Sequence, residues 1–404
     1  MRPAGRHGDL HYRTVCGEWS AKVSALLFRV RSMSTWIGGG PMRTRLELLQ
    51  EWDQQLGWLL PGERKTRVKA LAAFALGVMI SGSVTLLKVA HSLPLGAADA
   101  SVERRLRRWL ANGAVSVEAM RGPLVRALLA GYRDREVALA LDPTPRRGSP
   151  GGVYVLGLVA HKRVLPLAWH TLADRRELNE PERVFVGRMC RLVAGSLPEG
   201  CEVTLLADSG LTGPDLVRTC EELGWHWVLR LSADAKQSPK LRDGATVWGL
   251  ATGPGQRLYR EAELLRRMGW RRVGLSIHWR RGCDEPWILI SDRPAGYARV
   301  REYRKRWQAE STFQDCKRRG WGLDRSRVAD PARLDRLLLA LFIALWWSHD
   351  LGLRAIRAGK RRLFDRPGRR DLSVVRLGRC LMDHLLGLGK LPPTPLRPGV
   401  RSRT

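Results

Sequence analysis

A chain of 404 residues can bury a full core and divide into two or three domains. Its 70 Lys and Arg stand against 39 Asp and Glu, and the resulting formal charge of +31 exceeds what solubility requires and has the sign that attracts a polyanion. The seven cysteines lie far apart and the nine histidines form no pair at helical spacing around a glutamate, which excludes the common zinc and redox motifs. Metal chemistry here must rest on oxygen ligands. Scattered reduced thiols fit a cytoplasmic protein, and nucleic acid is the expected partner.

In chain order, residues 1–41 lack an apolar signal segment and contain Gly38-Gly39-Gly40-Pro41, so they are expected to be a disordered extension, with Met42 as an alternative start to Met1. Residues 42–135 read as a helical DNA-binding domain, beginning with Leu46, Leu49, Trp52 and Leu56 at intervals of three and four. Ala70 to Leu87 carries no charge over 18 residues, the lower limit of a membrane span. Ser81-Gly82-Ser83 breaks that stretch, and the reading is a buried helical pair with no membrane. Farther on, Val102, Leu106, Trp109 and Leu110 share one helical face with arginines around the rest. Such a basic helix after a turn suits DNA recognition, with Arg104, Arg105 and Arg108 as candidate contacts. The competing reading is an ordinary surface helix with solvated arginines.

From residue 136 the period changes. Val137 to Leu141 is a short apolar run, expected to stop at Asp142-Pro143. Gly152 to Ala160 and Val164 to Leu172 follow as strands joined by a His161-Lys162-Arg163 turn. Glu180 to Leu197 reads as a helix, Val203 to Ala207 as a strand ending at Asp208-Ser209-Gly210, Asp215 to Leu223 as a helix and His226 to Leu231 as a fifth strand. The order β-β-β-α-β-α-β, with carboxylates at the ends of the first and fourth strands, resembles the ribonuclease-H fold. In open α/β sheets, sites gather at strand ends, so Asp142 and Asp208 are expected to meet.

Residues 232–294 alternate and turn often, which predicts a β-rich insertion with strands at Arg272–Trp279 and Trp287–Ser291. Trp248, Trp270, Trp279 and Trp287 lie there among many arginines. Aromatic faces beside cations suit splayed bases and phosphates, and Trp279 and Trp287 are the candidates for stacking a base flipped out near a cleaved end. At least two of the four tryptophans are expected to be core.

The strongest local signal runs from Tyr303 to Lys317. At 100° per residue, Arg306, Glu310 and Lys317 fall at about 300°, 340° and 320° from Tyr303, so one stripe of a continuous helix would present all four. Read alone, the stripe is a charged helix face with Arg306 and Glu310 paired at i,i+4. It does not stand alone, because Tyr303-x2-Arg306-x3-Glu310-x6-Lys317 resembles the YREK signature of bacterial DDE transposases of insertion sequence family 4. Asp142-Pro-Thr144 and Ala207-Asp208-Ser-Gly210 resemble the other two catalytic blocks in their chain order. The resemblance spans roughly residues 45–355, and it departs from the pattern at Ser209, where an arginine is expected.

The resemblance implies an α/β protein with a ribonuclease-H-like catalytic core (136–231 and 295–357), interrupted by the β-rich insertion, preceded by the α-helical DNA-binding domain and followed by a basic tail (358–404). It implies a transposase that binds terminal inverted repeats and catalyses DNA strand cleavage and strand transfer. Asp142, Asp208 and Glu310 would be catalytic and hold two Mg²⁺ ions, with Mn²⁺ able to substitute. Tyr303, Arg306 and Lys317 would hold phosphates of the DNA end. The partners implied are double-stranded DNA, both inverted repeat and target, and a second subunit in a synaptic dimer. Two alternatives carry less of the sequence. A catalytically inactive DNA-binding protein would keep the basic helices, and a ribonuclease-H-like nuclease would leave the YREK face unexplained.

Overall fold

The computed structural model describes residues 41–145, 151–174, 180–317 and 320–396. The predicted disordered extension, the question of Met1 or Met42 as start, and the last eight residues of the chain fall outside that range, apart from the start of the first helix.

Five helices come first: α1 (Pro41–Leu59), α2 (Lys65–Ser81), α3 (Leu86–Ser92), α4 (Asp99–Ala111) and α5 (Val117–Leu129). The uncharged stretch is a bent helical pair, as its Ser-Gly-Ser break predicts. Gly82 adopts a left-handed φ of 61°, donates its N–H to Val78 O at 3.0 Å and ends α2, and α3 leaves at 93°. Leu71 through Met79 are buried continuously, so this segment lies in the protein core. Trp52 of α1 is fully buried and packs 5.4 Å from Trp347.

One sheet of eight strands follows, in the order β3-β2-β1-β4-β5-β8-β7-β6. β1 (Glu136–Pro145) pairs antiparallel with β2 (Gly152–Ala160), which pairs antiparallel with β3 (Arg163–Leu172). On its other side β1 runs parallel to β4 (Glu202–Ala207), and β4 parallel to β5 (His226–Arg230). The parallel strands require crossovers, which α6 (Glu182–Ala194) and α7 (Pro214–Glu222) supply. Near-continuous apolar runs in β1, β2 and β4 match strands covered on both faces.

Two expectations need correction. β1 does not stop at Pro143 but continues to Pro145, pairing with β2 through Pro145↔Gly152, while its pairing with β4 ends at Leu141↔Ala207. Beyond that level β1 has no neighbour on the β4 side, and a proline without an N–H is tolerated there. Asp142 therefore stands inside a strand, just past the last residue held on both sides. The second correction concerns the segment expected as a basic tail, which contains a packed helix, α11 (Val374–Gly387), with Val375, Leu377, Leu381 and Met382 buried. It crosses α10 (Pro331–Arg357) so closely that a Cβ on Gly378 would meet Ser348 O at 1.7 Å, and one on Gly352 would meet Val374 O at 1.9 Å.

The 232–294 segment is β-rich as read. Its strands β6 (Arg257–Leu264), β7 (Arg271–His278) and β8 (Trp287–Ser291) extend the same sheet, through β8 lying antiparallel to β5. α10 begins after Asp330, whose carboxylate accepts from Arg333 N at 2.8 Å, with Pro331 in the first turn. Among the described residues α10 is one helix long and apolar enough to cross a bilayer, and it is buried against the sheet, with Phe342 edge-on to Trp169 at 4.9 Å. By the two-residue alternation of the strands, Trp169, Val155 and Asp142 share a face, so α10 and the Asp142 carboxyl lie on the same side of the sheet.

Candidate active site

The segment after β8 crosses that face. It consists of α8 (Tyr297–Arg304), a tighter 3-10 turn over Lys305–Trp307 and α9 (Gln308–Cys316). The single continuous helical stripe predicted for Tyr303, Arg306, Glu310 and Lys317 is thus not what forms. A 3-10 turn advances about 120° per residue instead of 100°, which rotates the residues after it. Tyr303 and Arg306 point inward and are buried, Glu310 is exposed, and Lys317 caps α9 with a non-helical backbone. The i,i+4 pair of Arg306 with Glu310 gives way to longer-range partners.

Those partners are the two aspartates. Arg306, only 4% exposed, donates from Nη1 to Asp142 Oδ1 at 2.9 Å, lies 3.0 Å from Asp208 Oδ2 through Nη2 and donates from Nε to Tyr303 Oη at 3.2 Å. Tyr303, fully buried, donates in turn to Asp208 Oδ1 at 3.0 Å. Asp208 Oδ1 also accepts from Ser209 N at 2.8 Å, which fixes the carboxylate over the short turn that follows β4. Residues from β1, β4 and the Tyr303–Arg306 segment thereby converge, although 66 residues separate the aspartates in sequence.

Burial raises the Asp142 carboxyl to about 6, helped by the negative charges of Asp208 and Glu310 and opposed by Arg306. Glu310 is thus close enough for its charge to act on Asp142. No three acidic, His or Cys side chains among the described residues stand close enough to ligate one ion. Burial also lifts the Tyr303 phenol well above its usual range, so it remains a donor. Arg306 is held charged: burial opposes that, but Tyr303, Asp142 and Asp208 outweigh it.

Lys317 reaches the same strand end by another route. Its Nζ donates to Thr144 Oγ1 and to Pro145 O, both at 2.7 Å. Two further residues border the site without having been singled out in the sequence. Arg230, at the end of β5, lies 3.6 Å from Asp208 Oδ1 and donates to Glu285 Oε2 at 2.9 Å. It supplies from a neighbouring strand a cation beside Asp208 where Ser209 lacks one. Its position at a strand end, one residue beyond Leu229, which pairs with Ala207, was the available signal. Trp307 is 43% exposed and stacks on Trp287 at 6.3 Å with planes 20° apart, while the Arg306 guanidinium lies 5.7 Å from its ring. Its adjacency to Arg306 within the motif could have drawn attention to it.

The remaining candidates divide. Trp287 lies at the site, edge-on to Tyr303 at 5.2 Å. Trp279 packs beside Trp248 at 5.9 Å and donates its indole N–H to Cys283 O at 2.8 Å, which ties the hairpin between β7 and β8. Arg104, Arg105 and Arg108 stand exposed on α4, whose Val102, Leu106, Trp109 and Leu110 are buried.

The chemistry available is that of a buried Asp142 and a half-buried Asp208, neutralised by Arg306, with a third carboxylate near by and cations on the rim. Carboxylate oxygens are the donors that hard divalent cations prefer, so the residue types fit such an ion, while Arg306 now stands between the first two. No curated protein matches the chain. Residues 187–347 match the family model described as the transposase DDE domain, a span that contains Asp208, Tyr303, Arg306, Glu310 and Lys317 and begins after Asp142. Over that span the chain is similar to a transposase DDE domain.

Proposed function

We propose that this protein is a transposase of the insertion sequence family 4 kind, which binds terminal inverted repeats as a synaptic dimer and catalyses divalent-metal-dependent strand cleavage and strand transfer. The observation that carries the reading is the convergence of Asp142, Asp208 and the Tyr303–Arg306 pair on one face of the sheet. The strand order 3-2-1-4-5, with β2 antiparallel and β4 and β5 parallel to β1, supports a ribonuclease-H-like core. DDE transposases use divalent metals, and Asp142, Asp208 and Glu310 are the residues that would hold Mg²⁺ here. Such ions activate a water or a DNA hydroxyl as nucleophile and neutralise the leaving oxygen.

The chain's own groups do the rest. Arg306 and Lys317 hold phosphates on either side of the scissile bond, the first as a planar fork and the second as a point charge. The Tyr303 hydroxyl, kept protonated by burial, holds Asp208 and Arg306 in place beside that backbone. Arg230 adds a cation beside Asp208. The exposed face of Trp307, backed by Trp287, offers a platform on which a base unstacked at the DNA end rests. The exposed arginines of α4 and of the outer strands supply sequence-independent attraction to the duplex.

The test is direct. Purified protein is incubated with a duplex containing the inverted repeat that borders its gene, with Mg²⁺ and with Mn²⁺. Strand cleavage at the repeat end is expected with either ion. Binding without cleavage under both would overturn the catalytic reading in favour of an inactive DNA-binding protein.

A further inference from the structure

We propose that Arg306 is a placeholder cation, which neutralises Asp142 and Asp208 in the free protein and yields them to divalent ions only when a DNA phosphate takes it away. The inference rests on the metal-dependent reading above and concerns how that site is kept closed off DNA.

All three nitrogens of the guanidinium are engaged inside the protein, on Asp142 Oδ1, Asp208 Oδ2 and the Tyr303 hydroxyl. Arg306 thus occupies one oxygen of each aspartate. A divalent ion held by these aspartates would draw on the same oxygens, at about 2.0–2.1 Å for Mg²⁺. That position overlaps N–H groups now 2.9 and 3.0 Å from the same oxygens. Two cations cannot share it, because like charges at such a separation repel strongly. Glu310 meanwhile stands exposed on α9 and outside ligating distance, so the third acid is not assembled while the arginine is in place.

Removing a buried guanidinium from two carboxylates is costly unless another anion receives it. A phosphodiester is that anion, since it accepts the planar fork in two parallel hydrogen bonds. The Tyr303 hydroxyl, which touches both Arg306 and Asp208, is placed to feel the exchange. Phosphate binding at Arg306 and ion binding at the aspartates then favour each other, and by linkage the coupling is reciprocal. A hydrolytic site thus forms on DNA and not in free solution.

The experiment measures Mn²⁺ binding to the full-length protein, by the loss of the free-ion resonance signal, with and without a short duplex from the DNA flanking the gene. It is repeated for Arg306→Gln and Arg306→Met. Wild-type protein should bind Mn²⁺ weakly alone and on the order of tenfold more tightly with the duplex, after subtraction of ions held by the duplex itself. Both variants should bind it on the order of tenfold more tightly than wild type without DNA, and should lose most of the response to DNA. Variants that bind Mn²⁺ no better than wild type would overturn the proposal. So would wild-type protein that binds it equally well with and without DNA, a result that needs no variant. Asp142→Asn separates this failure from that of the underlying reading. If it leaves Mn²⁺ binding intact, the aspartates hold no ion. If it abolishes binding while the Arg306 variants behave as wild type, only the placeholder fails.

Discussion

The centre and the flank of the one sheet treat charge in opposite ways. At the centre, β1 and β4 are buried on both faces, and the aspartates they deliver are matched by a guanidinium that is itself buried. On the flank, β6 and β7 leave Arg257, Arg260, Arg271 and Arg272 exposed, with Arg271 and Arg272 loosely paired to Glu221 and Glu261 at 3.6 and 3.8 Å. Burial forces each central charge to be compensated within the protein, whereas water lets the flanking charges stay exposed, at most loosely paired, and available to a polyanion. The exposed arginines of the flank therefore stand where they can attract a polyanion.

The comparison is broken most severely at the centre. Asp142→Asn and Asp208→Asn should each lower strand cleavage by roughly a thousandfold or more while leaving duplex affinity within a few fold, as measured by cleavage and mobility-shift assays. Comparable loss of DNA binding would mean that these aspartates shape the fold and not the chemistry. Next in size is Ile290→Ala. Ile290 of β8 is fully buried between Leu229 of β5 and Leu275 of β7. Its truncation should cost about 2–5 kcal/mol and lower a single unfolding transition. If the flank is a separable domain, calorimetry will instead resolve two transitions with only one displaced.

The raised Asp142 carboxyl sets the third expectation. Ion binding requires the ionised form, so cleavage should fall about tenfold per unit as the pH drops below about 6. For the metal-free protein the sign is reversed: a carboxyl raised from 3.8 stabilises the fold at low pH, and that contribution fades as the pH climbs through about 6. Asp335, also pushed up to about 6 by burial, acts the same way. Asp335→Asn should therefore make the unfolding midpoint less sensitive to pH between about 4 and 7, and an unchanged profile would count against its titration there. The smallest effect belongs to the flank. Arg257→Ala should weaken DNA binding a few fold at low salt and reduce the salt slope by about one if this side chain meets a phosphate.

The central half of this architecture was legible in the sequence because apolar runs bounded by turn residues mark doubly covered strands. The order of β1 through β5 follows from them, as do the two helices between. Pro143 misled because its effect on a strand depends on whether a neighbour pairs at that level, which one sequence does not reveal. The Tyr303–Lys317 spacing singled out a segment of which Tyr303 and Arg306 meet the aspartates, but the continuous helical stripe it implied does not form. The 3-10 turn at Lys305–Trp307 separates inward Tyr303 and Arg306 from outward Glu310, and no residue type in the segment announces it. Arg230 was overlooked because a single arginine at a strand end carries no motif, and α11 because its arginines masked an apolar period of three and four. Why Arg306 grips both aspartates is a matter of long-range contact, invisible to local pattern.

The glycine crossing of α10 and α11 bears on how much of this chain is dispensable. Because the two helices touch backbone to backbone, α11 seals a surface of α10 that includes Ser348 and Gly352, on the far side of the helix that backs the sheet. Deleting everything after residue 357 would strip that seal and lay an oily groove open to neighbouring molecules. Trimming the arginine-rich end to improve handling in the laboratory would accordingly yield aggregates, and the same lesion in a genomic copy would silence it through insolubility with every acid of the site still in place.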